Sequence, residues 1–302
     1  MKVFVSGILG IETTLAVRGF PVSYYPVDYP FFGIRAEVAG SAYRMAKSFR
    51  ALGDDVRLYS FVGDDVQGRR VFDALDADGL PRCLIDSSLA ETVETVVLQE
   101  IPFGRRQVYC DLKDVQERRT DVSDERIRAA VGEADACAIM NVNFNRPILA
   151  LARELGKTIA CDVQALASVT DSFNAEFIEY ADILFLSDEG APGSPEDFLA
   201  ALAERCTARV IVMGLAADGV LCYDREKNNM HKLKAVDVGK VLSAGAGAAL
   251  MSSFLHYYGR YDTAEALKRA EVFSALKLAA NAAGGGYPTE RDVEDKLAAV
   301  EF

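Results

Sequence analysis

The chain reads as an α/β protein: a mostly parallel sheet covered by helices on both faces, with a small extra β element. Three observations predict this. Short apolar runs alternate with stretches of helical periodicity along the chain. The runs are apolar throughout, which suits parallel strands buried on both faces. Two segments, 12–36 and 92–109, fall outside this rhythm and carry strand-forming residues of their own.

Taken in order, Val3–Ser6 is a first strand. Ala42–Leu52 has helical spacing and ends at Gly53, and Val56–Val62 is the next strand. A helix over Gly68–Asp78 follows. Later strands are expected at Ala136–Met140, Thr158–Asp162, Ile183–Leu186, Val210–Met213 and Val220–Tyr223. Helices are expected at Asp124–Glu133, Arg146–Leu155, Pro195–Cys206, Ala248–Tyr258 and Thr263–Ala283. Glu12 to Ala36 holds Phe20, Tyr24, Tyr25, Tyr29, Phe31 and Phe32. Thr92–Tyr109 alternates apolar and polar residues around a turn at Pro102-Phe103-Gly104. Both segments read as hairpin-like. The aromatics are read as core of that element, as a dimer contact, or as substrate contacts.

Composition narrows the function. At 302 residues the chain can bury one large α/β domain or two small ones. A net charge of −12 argues against a nucleic-acid binder, which needs a basic face. Six scattered cysteines without a C-x-x-C pair, and only two histidines, argue against a zinc site or a disulfide framework. Cys137, Cys161 and Cys222 sit in apolar runs and read as buried packing residues. No apolar stretch reaches the length of a membrane span, and the N-terminus reads as a strand rather than a signal peptide. A cytoplasmic protein that touches neither membrane nor nucleic acid is expected.

The most informative stretch is Ala244-Gly245-Ala246-Gly247-Ala248, running directly into a helical pattern. Backbone N–H groups at a helix N-terminus, free of side chains, make a phosphate cradle. A phosphotransferase built on such a loop also needs a carboxylate at the first helical position to take the proton of the attacking hydroxyl. That position is Ala248. Asp237, Lys240 and Ser243 are the polar residues upstream. Asp237 is expected to lie too far away, and the other two are poor bases near neutrality.

A second glycine signal, Ala39-Gly40-Ser41-Ala42-Tyr43-Arg44, leads into the first helix. Together with Leu242-Ser243-Ala244-Gly245-Ala246-Gly247-Ala248 it resembles the two signatures of the PfkB/ribokinase family of sugar and nucleoside kinases, in the right order and over essentially the whole chain. The resemblance implies a single ribokinase-like domain over 1–302, a three-layer α/β/α sandwich. It further implies a small β lid from 12–36 and 92–109 that closes over the sugar and pairs two subunits as a homodimer. It also implies ATP-dependent phosphoryl transfer to a sugar or nucleoside hydroxyl, with Mg²⁺ as cofactor.

Residue by residue, the resemblance makes Gly245, Ala246 and Gly247 the anion hole and Ala248 the place of the family's Asp base. Glu12, Gly40 and Arg44 fall on the substrate side, with Arg44 where the family has a sugar-binding Asn. Ser187, Asp188 and Glu189 stand nearest the family's Asn-x-x-Glu motif. Ser187 and Asp188 are expected near the nucleotide, and Asp188 and Glu189 near the metal through water. Gly214 and Gly219 stand in the nucleotide-side glycine motif. Asn141, Asn143, Asn145, Asp162 and Gln164 also end strands, without an assignable role. The departures at Leu242, Arg44 and Ala248 imply an impaired kinase, or alternatively a non-catalytic pseudokinase that binds a nucleotide or sugar as a sensor.

Overall fold

In the computed structural model, residues 1–101, 105–239, 242, 244–283 and 285–300 are described. The turn expected at Pro102-Phe103-Gly104, and Lys240 and Ser243, lie outside them. In chain order the elements begin with β1 (Lys2–Ser6), β2 (Gly10–Val17), β3 (Ile34–Ala39), α1 (Ser41–Ala51), β4 (Asp55–Gly63), α2 (Val66–Ala77), β5 (Leu84–Leu89), β6 (Val93–Glu100) and β7 (Arg106–Asp111). They continue with α3 (Glu125–Glu133), β8 (Ala136–Met140), α4 (Arg146–Glu154), β9 (Thr158–Ala165), α5 (Ala175–Tyr180), β10 (Ile183–Ser187) and α6 (Pro195–Ala203). The last are β11 (Val210–Gly214), β12 (Val220–Asp224), β13 (Asn229–Leu233), α7 (Ala246–Tyr258), α8 (Thr263–Ala282) and α9 (Glu290–Leu297).

Among the described residues, nine strands form one sheet in the order β13-β12-β11-β10-β9-β8-β1-β4-β5. Its pairings are parallel from β11 through to β5, and antiparallel where β12 and β13 are added at one edge. Strand periodicity divides the core in two. Val3, Val5, Ala138, Ala160, Ile183 and Phe185 pack with α1, α2, α7, α8 and α9. The alternate residues Phe4, Cys137, Ile139, Ile159, Cys161 and Leu184 pack with α3, α4, α5 and α6. Cys137, Cys161 and Cys222 are buried, as their apolar neighbours imply.

A second, four-stranded sheet has the order β3-β2-β6-β7. Its central pair, β2 and β6, is parallel, and the outer pairs are antiparallel. The antiparallel pairing of β2 with β3 bears out the hairpin-like reading of 12–36, with a long connection in place of a tight turn. The chain is strand only at the two ends of that segment, and 18–33 run as a long connection. Its aromatics are not core. Tyr24 is 87% exposed, Phe31 84% and Phe32 96%.

The edge strands β5 and β13 and the short helices α5 and α9 were not expected. Asp86-Ser87-Ser88 interrupts β5, and β13 is mostly polar. An edge strand buries too little to carry an apolar signature. Among the described residues no helix is long and apolar enough to cross a membrane.

Candidate active site

The first wall of the site is set by Gly40. Its φ is +105°, and a Cβ there would lie 2.3 Å from the Ile8 carbonyl oxygen. Only glycine admits so close an approach. The start of α1 is thereby pinned to the end of β1: the Ala42 N–H donates to the Ile8 carbonyl at 3.2 Å, and the Ile8 N–H to Ser41 Oγ at 3.3 Å. Arg44 follows, one turn into α1. Its guanidinium donates to Glu12 Oε1 on β2 at 2.7 Å and lies 3.9 Å from Glu37. Both partners of the 2.7 Å pair are largely buried, so the contact is sheltered from solvent screening.

The second wall is the glycine loop. Gly245 caps α7 in the left-handed region, φ 80° and ψ 14°, and among the described residues no side chain makes a cap hydrogen bond at this helix start. By contrast α2, α3, α6, α8 and α9 are capped by Asp65, Asp124, Ser194, Asp262 and Thr289. The first N–H groups of α7 are thus left for another acceptor. A Cβ on Gly245 would lie 2.8 Å from Arg44 Cδ, so the arginine stem runs directly over the loop. From behind, Asn281 of α8 holds the loop. Its Nδ2 donates to the carbonyls of Leu242 at 3.2 Å and Ala244 at 3.0 Å. Lys277 donates to Asn281 Oδ1, and burial together with the nearby Arg44 charge pulls its ammonium down to about 8.

Glu12, Gly40, Arg44, Gly245, Ala246, Gly247 and Ala248 all line one cavity of about 620 Å³. The second sheet closes its other side, through residues such as Thr14, Arg35, Thr95 and Arg106. Both glycine segments therefore open onto one cleft at the carboxyl ends of the parallel strands, where α/β sheets bind ligands. Asp237 does not line it. Asp162, in the second half of β9, does. Its Oδ1 accepts from the Gln164 N–H at 2.8 Å, and its Oδ2 lies 3.4 Å from where a Cβ on Gly247 would stand. Burial pushes this carboxyl up to about 6. Gln164 also lines the cavity and donates to Asn141 Oδ1 at 3.2 Å. Asn145 is committed elsewhere, buried against Ser6, and Asn143 bonds to Gln116.

The remaining predicted residues, Ser187, Asp188, Glu189, Gly214 and Gly219, do not line this cavity. Ser187, Asp188, Glu189 and Gly214 lie at the ends of β10 and β11, next along the sheet from β9, and Gly219 stands just before β12. Ser187 is opposite Gly214, and the Asp188 N–H donates to the Gly214 carbonyl at 3.1 Å. Burial raises the Asp188 carboxyl, and the charges of Glu189 and Asp218 raise it further. Among the described residues no three His, Cys, Asp or Glu side chains cluster as a direct metal site. Gly219 has a local structural reason: its φ is +97°, and a Cβ would lie 2.1 Å from the Leu233 carbonyl oxygen. Arg106 of the second sheet approaches Glu189 at 3.9 Å and so bridges the two groups of residues.

Sequence reasoning gave Lys277 and Asn281 no part, since their helix pattern reads as packing. It left Asp162 as one strand-end polar residue among five.

The sequence profile of the pfkB family of carbohydrate kinases matches residues 2–290. No curated protein matches the sequence significantly. Solved structures share the fold. A microbiome-derived acarbose kinase superposes with a TM-score of 0.86 at 21% identity, covering 98% of each chain. An Arabidopsis thaliana ribokinase complexed with ribose and ATP gives 0.79 at 14% identity, with 98% of each chain covered. An E. coli protein assigned as ribokinase II, in complex with ATP and Mg²⁺, gives 0.76 at 18% identity, with 99% of each chain covered. The architecture is the ribokinase-like α/β fold.

Proposed function

Because the chain belongs to the pfkB family of carbohydrate kinases, we propose that it transfers the γ-phosphoryl group of ATP to a hydroxyl of a sugar or nucleoside, at a rate limited by the loss of the carboxylate at 248. The observation that carries this reading is the uncapped N-terminus of α7, opening into the same cavity as Glu12, Gly40 and Arg44. In this reading Glu12 accepts substrate hydroxyls, and the amides of 245–248 hold oxygens of the transferred phosphoryl group. Arg44 lies where both groups meet and can donate to either. The nucleotide lies toward Ser187, Asp188 and Gly214. Mg²⁺, held through water by Asp188 and Glu189, would neutralise phosphate charge. The second sheet closes over the sugar as a lid. The exposed Tyr24, Tyr25, Phe31 and Phe32 beside it support a homodimer contact.

One observation favours the alternative, a non-catalytic nucleotide or sugar sensor. The Arg44–Glu12 pair stands across the place where a sugar would enter, over Gly245. Steady-state ADP release with MgATP and a panel of pentoses, hexoses and nucleosides, beside nucleotide binding by calorimetry, separates the two. Nucleotide binding with sugar-dependent ADP release supports the kinase. Nucleotide binding without turnover supports the sensor, and no nucleotide binding removes the kinase and the nucleotide sensor together.

A further inference from the structure

We propose that Asp162, in the second half of β9, is the proton acceptor of this site, acting from the sheet where residue 248 of the helix has lost its carboxylate. The inference rests on the kinase reading and names the group that completes it.

Among the described residues three carboxylates line the cavity: Glu12, Glu100 and Asp162. Two are committed to cations. Glu12 accepts from Arg44 at 2.7 Å, and Glu100 accepts from the Arg105 N–H at 2.8 Å with the Arg105 guanidinium at 3.5 Å. Asp162 has neither a cation nor a second hydrogen-bond donor among the described residues. Its single partner is the Gln164 N–H on Oδ1. Oδ2 is left facing the anion loop, against the bare backbone of Gly247. Strand periodicity makes this direction a necessity: Asp162 follows Ala160 on the face of β9 that packs toward α7.

The groups around Asp162 leave its carboxyl basic rather than paired. Met140 of β8 and Phe185 of β10 stand opposite it in the sheet, and Gly247 of α7 lies above it. None is charged. On its own strand, Cys161 is a buried thiol that burial keeps protonated. Across the cavity, Arg44 of α1 faces Glu12, and Arg106 of β7 faces Glu189. Arg35 of β3 also lines the cavity, and Lys277 stands behind the loop. A carboxylate that titrates close to working pH is suited to accept a proton and still be charged most of the time. The step balances. The substrate O–H bond breaks, its proton goes to Asp162 Oδ2, and its oxygen bonds to the γ-phosphorus. The bond from that phosphorus to the β–γ bridging oxygen breaks, and ADP leaves with the electron pair.

The test uses the full chain and its variants Asp162→Asn, Ala248→Asp and both together. ADP release with MgATP and the sugar and nucleoside panel is followed across the acid limb, and nucleotide binding by calorimetry checks each fold. Asn keeps the acceptor for the Gln164 N–H. Asp162→Asn is expected to lower kcat at least about tenfold, with nucleotide affinity unchanged. It should also abolish the rise of kcat through about pH 6. With Asp at 248 the same change is expected to cost less than about threefold, because the helix carboxylate takes the proton. Asp162→Asn retaining the parent kcat and acid limb overturns the proposal. So does an equal loss in both backgrounds, which marks a structural role. Turnover by Ala248→Asp with none by the parent removes Asp162 as acceptor and the parent's own kinase activity with it, whereas parent turnover that Asp162→Asn leaves unchanged removes Asp162 alone and leaves the kinase reading standing. Turnover by none of the four removes both.

Discussion

Asp162→Asn is expected to stabilise the protein near neutral pH while slowing it. The carboxyl moves from an ordinary 3.8 to about 6 on folding, driven by burial. At about 1.36 kcal/mol per pKa unit, holding it charged in the fold costs about 3 kcal/mol. The sign follows from the direction of the shift. The folded form binds the proton more tightly than the unfolded chain. The benefit is fully present below about 3.8 and is lost as pH rises through about 6. Asn does not titrate, so the stability difference between variant and parent should be near zero at low pH and grow to about 3 kcal/mol by pH 8. For a chain of this length that is a rise of roughly 5 °C in Tm. Urea unfolding of both proteins at about pH 4.5 and 8 measures the difference directly. Equal stability at the higher pH, or a loss, would show that the carboxylate is hydrated or paired, and the reasoning from its burial would fail.

Three further outcomes are expected. Ala248→Asp should raise kcat at least about 10²-fold with little change in nucleotide affinity, measured by ADP release and calorimetry. If Arg44 blocks the sugar, the gain appears only in the double variant with Arg44→Asn, the side chain the family signature carries there. Gly245→Ala should cost about 1–2 kcal/mol in thermal unfolding, because its φ of 80° is left-handed and its Cβ would meet Arg44 Cδ at 2.8 Å. Asp54→Ala should cost about 3 kcal/mol or more in Tm-derived stability, since it leaves the Met1 ammonium and His256 Nδ1, each 2.7 Å from its carboxylate, without their acceptor. Activity per folded molecule should be unchanged, as this network lies outside the cavity.

The layered fold was legible because parallel strands buried on both faces cannot hide. β8, expected at Ala136–Met140, ends where it was read, and α1, α4 and α7 start within two residues of expectation. β5 and β13 were not legible, because an edge strand half open to water needs no apolar run. The connectivity of the second sheet was hidden for another reason. The parallel pairing of β2 with β6 joins segments far apart in sequence, and local patterning carries no trace of it. The site divided along the same line. Glycines announce a loop through their own backbone freedom, so Gly40 and Gly245 could be read alone. Asp162 acquires meaning only from the fold that lays Gly247 against it, and Asn281 only from the carbonyls it reaches on the loop.

On the proposed kinase reading, the salt bridge between Arg44 and Glu12 would link the sugar and phosphate halves of the site thermodynamically. Glu12 has one carboxylate to offer. A sugar hydroxyl that engages it loosens the guanidinium, which already lies over Gly245, where a phosphate would sit. A phosphate that attracts Arg44 in turn releases Glu12 for the sugar. Each ligand thus removes part of the cost of admitting the other. Such a coupling is reciprocal, so saturating sugar should tighten nucleotide binding by the same factor as saturating nucleotide tightens sugar. With Arg44→Asn the factor should fall toward one, because the two pockets then no longer share a side chain.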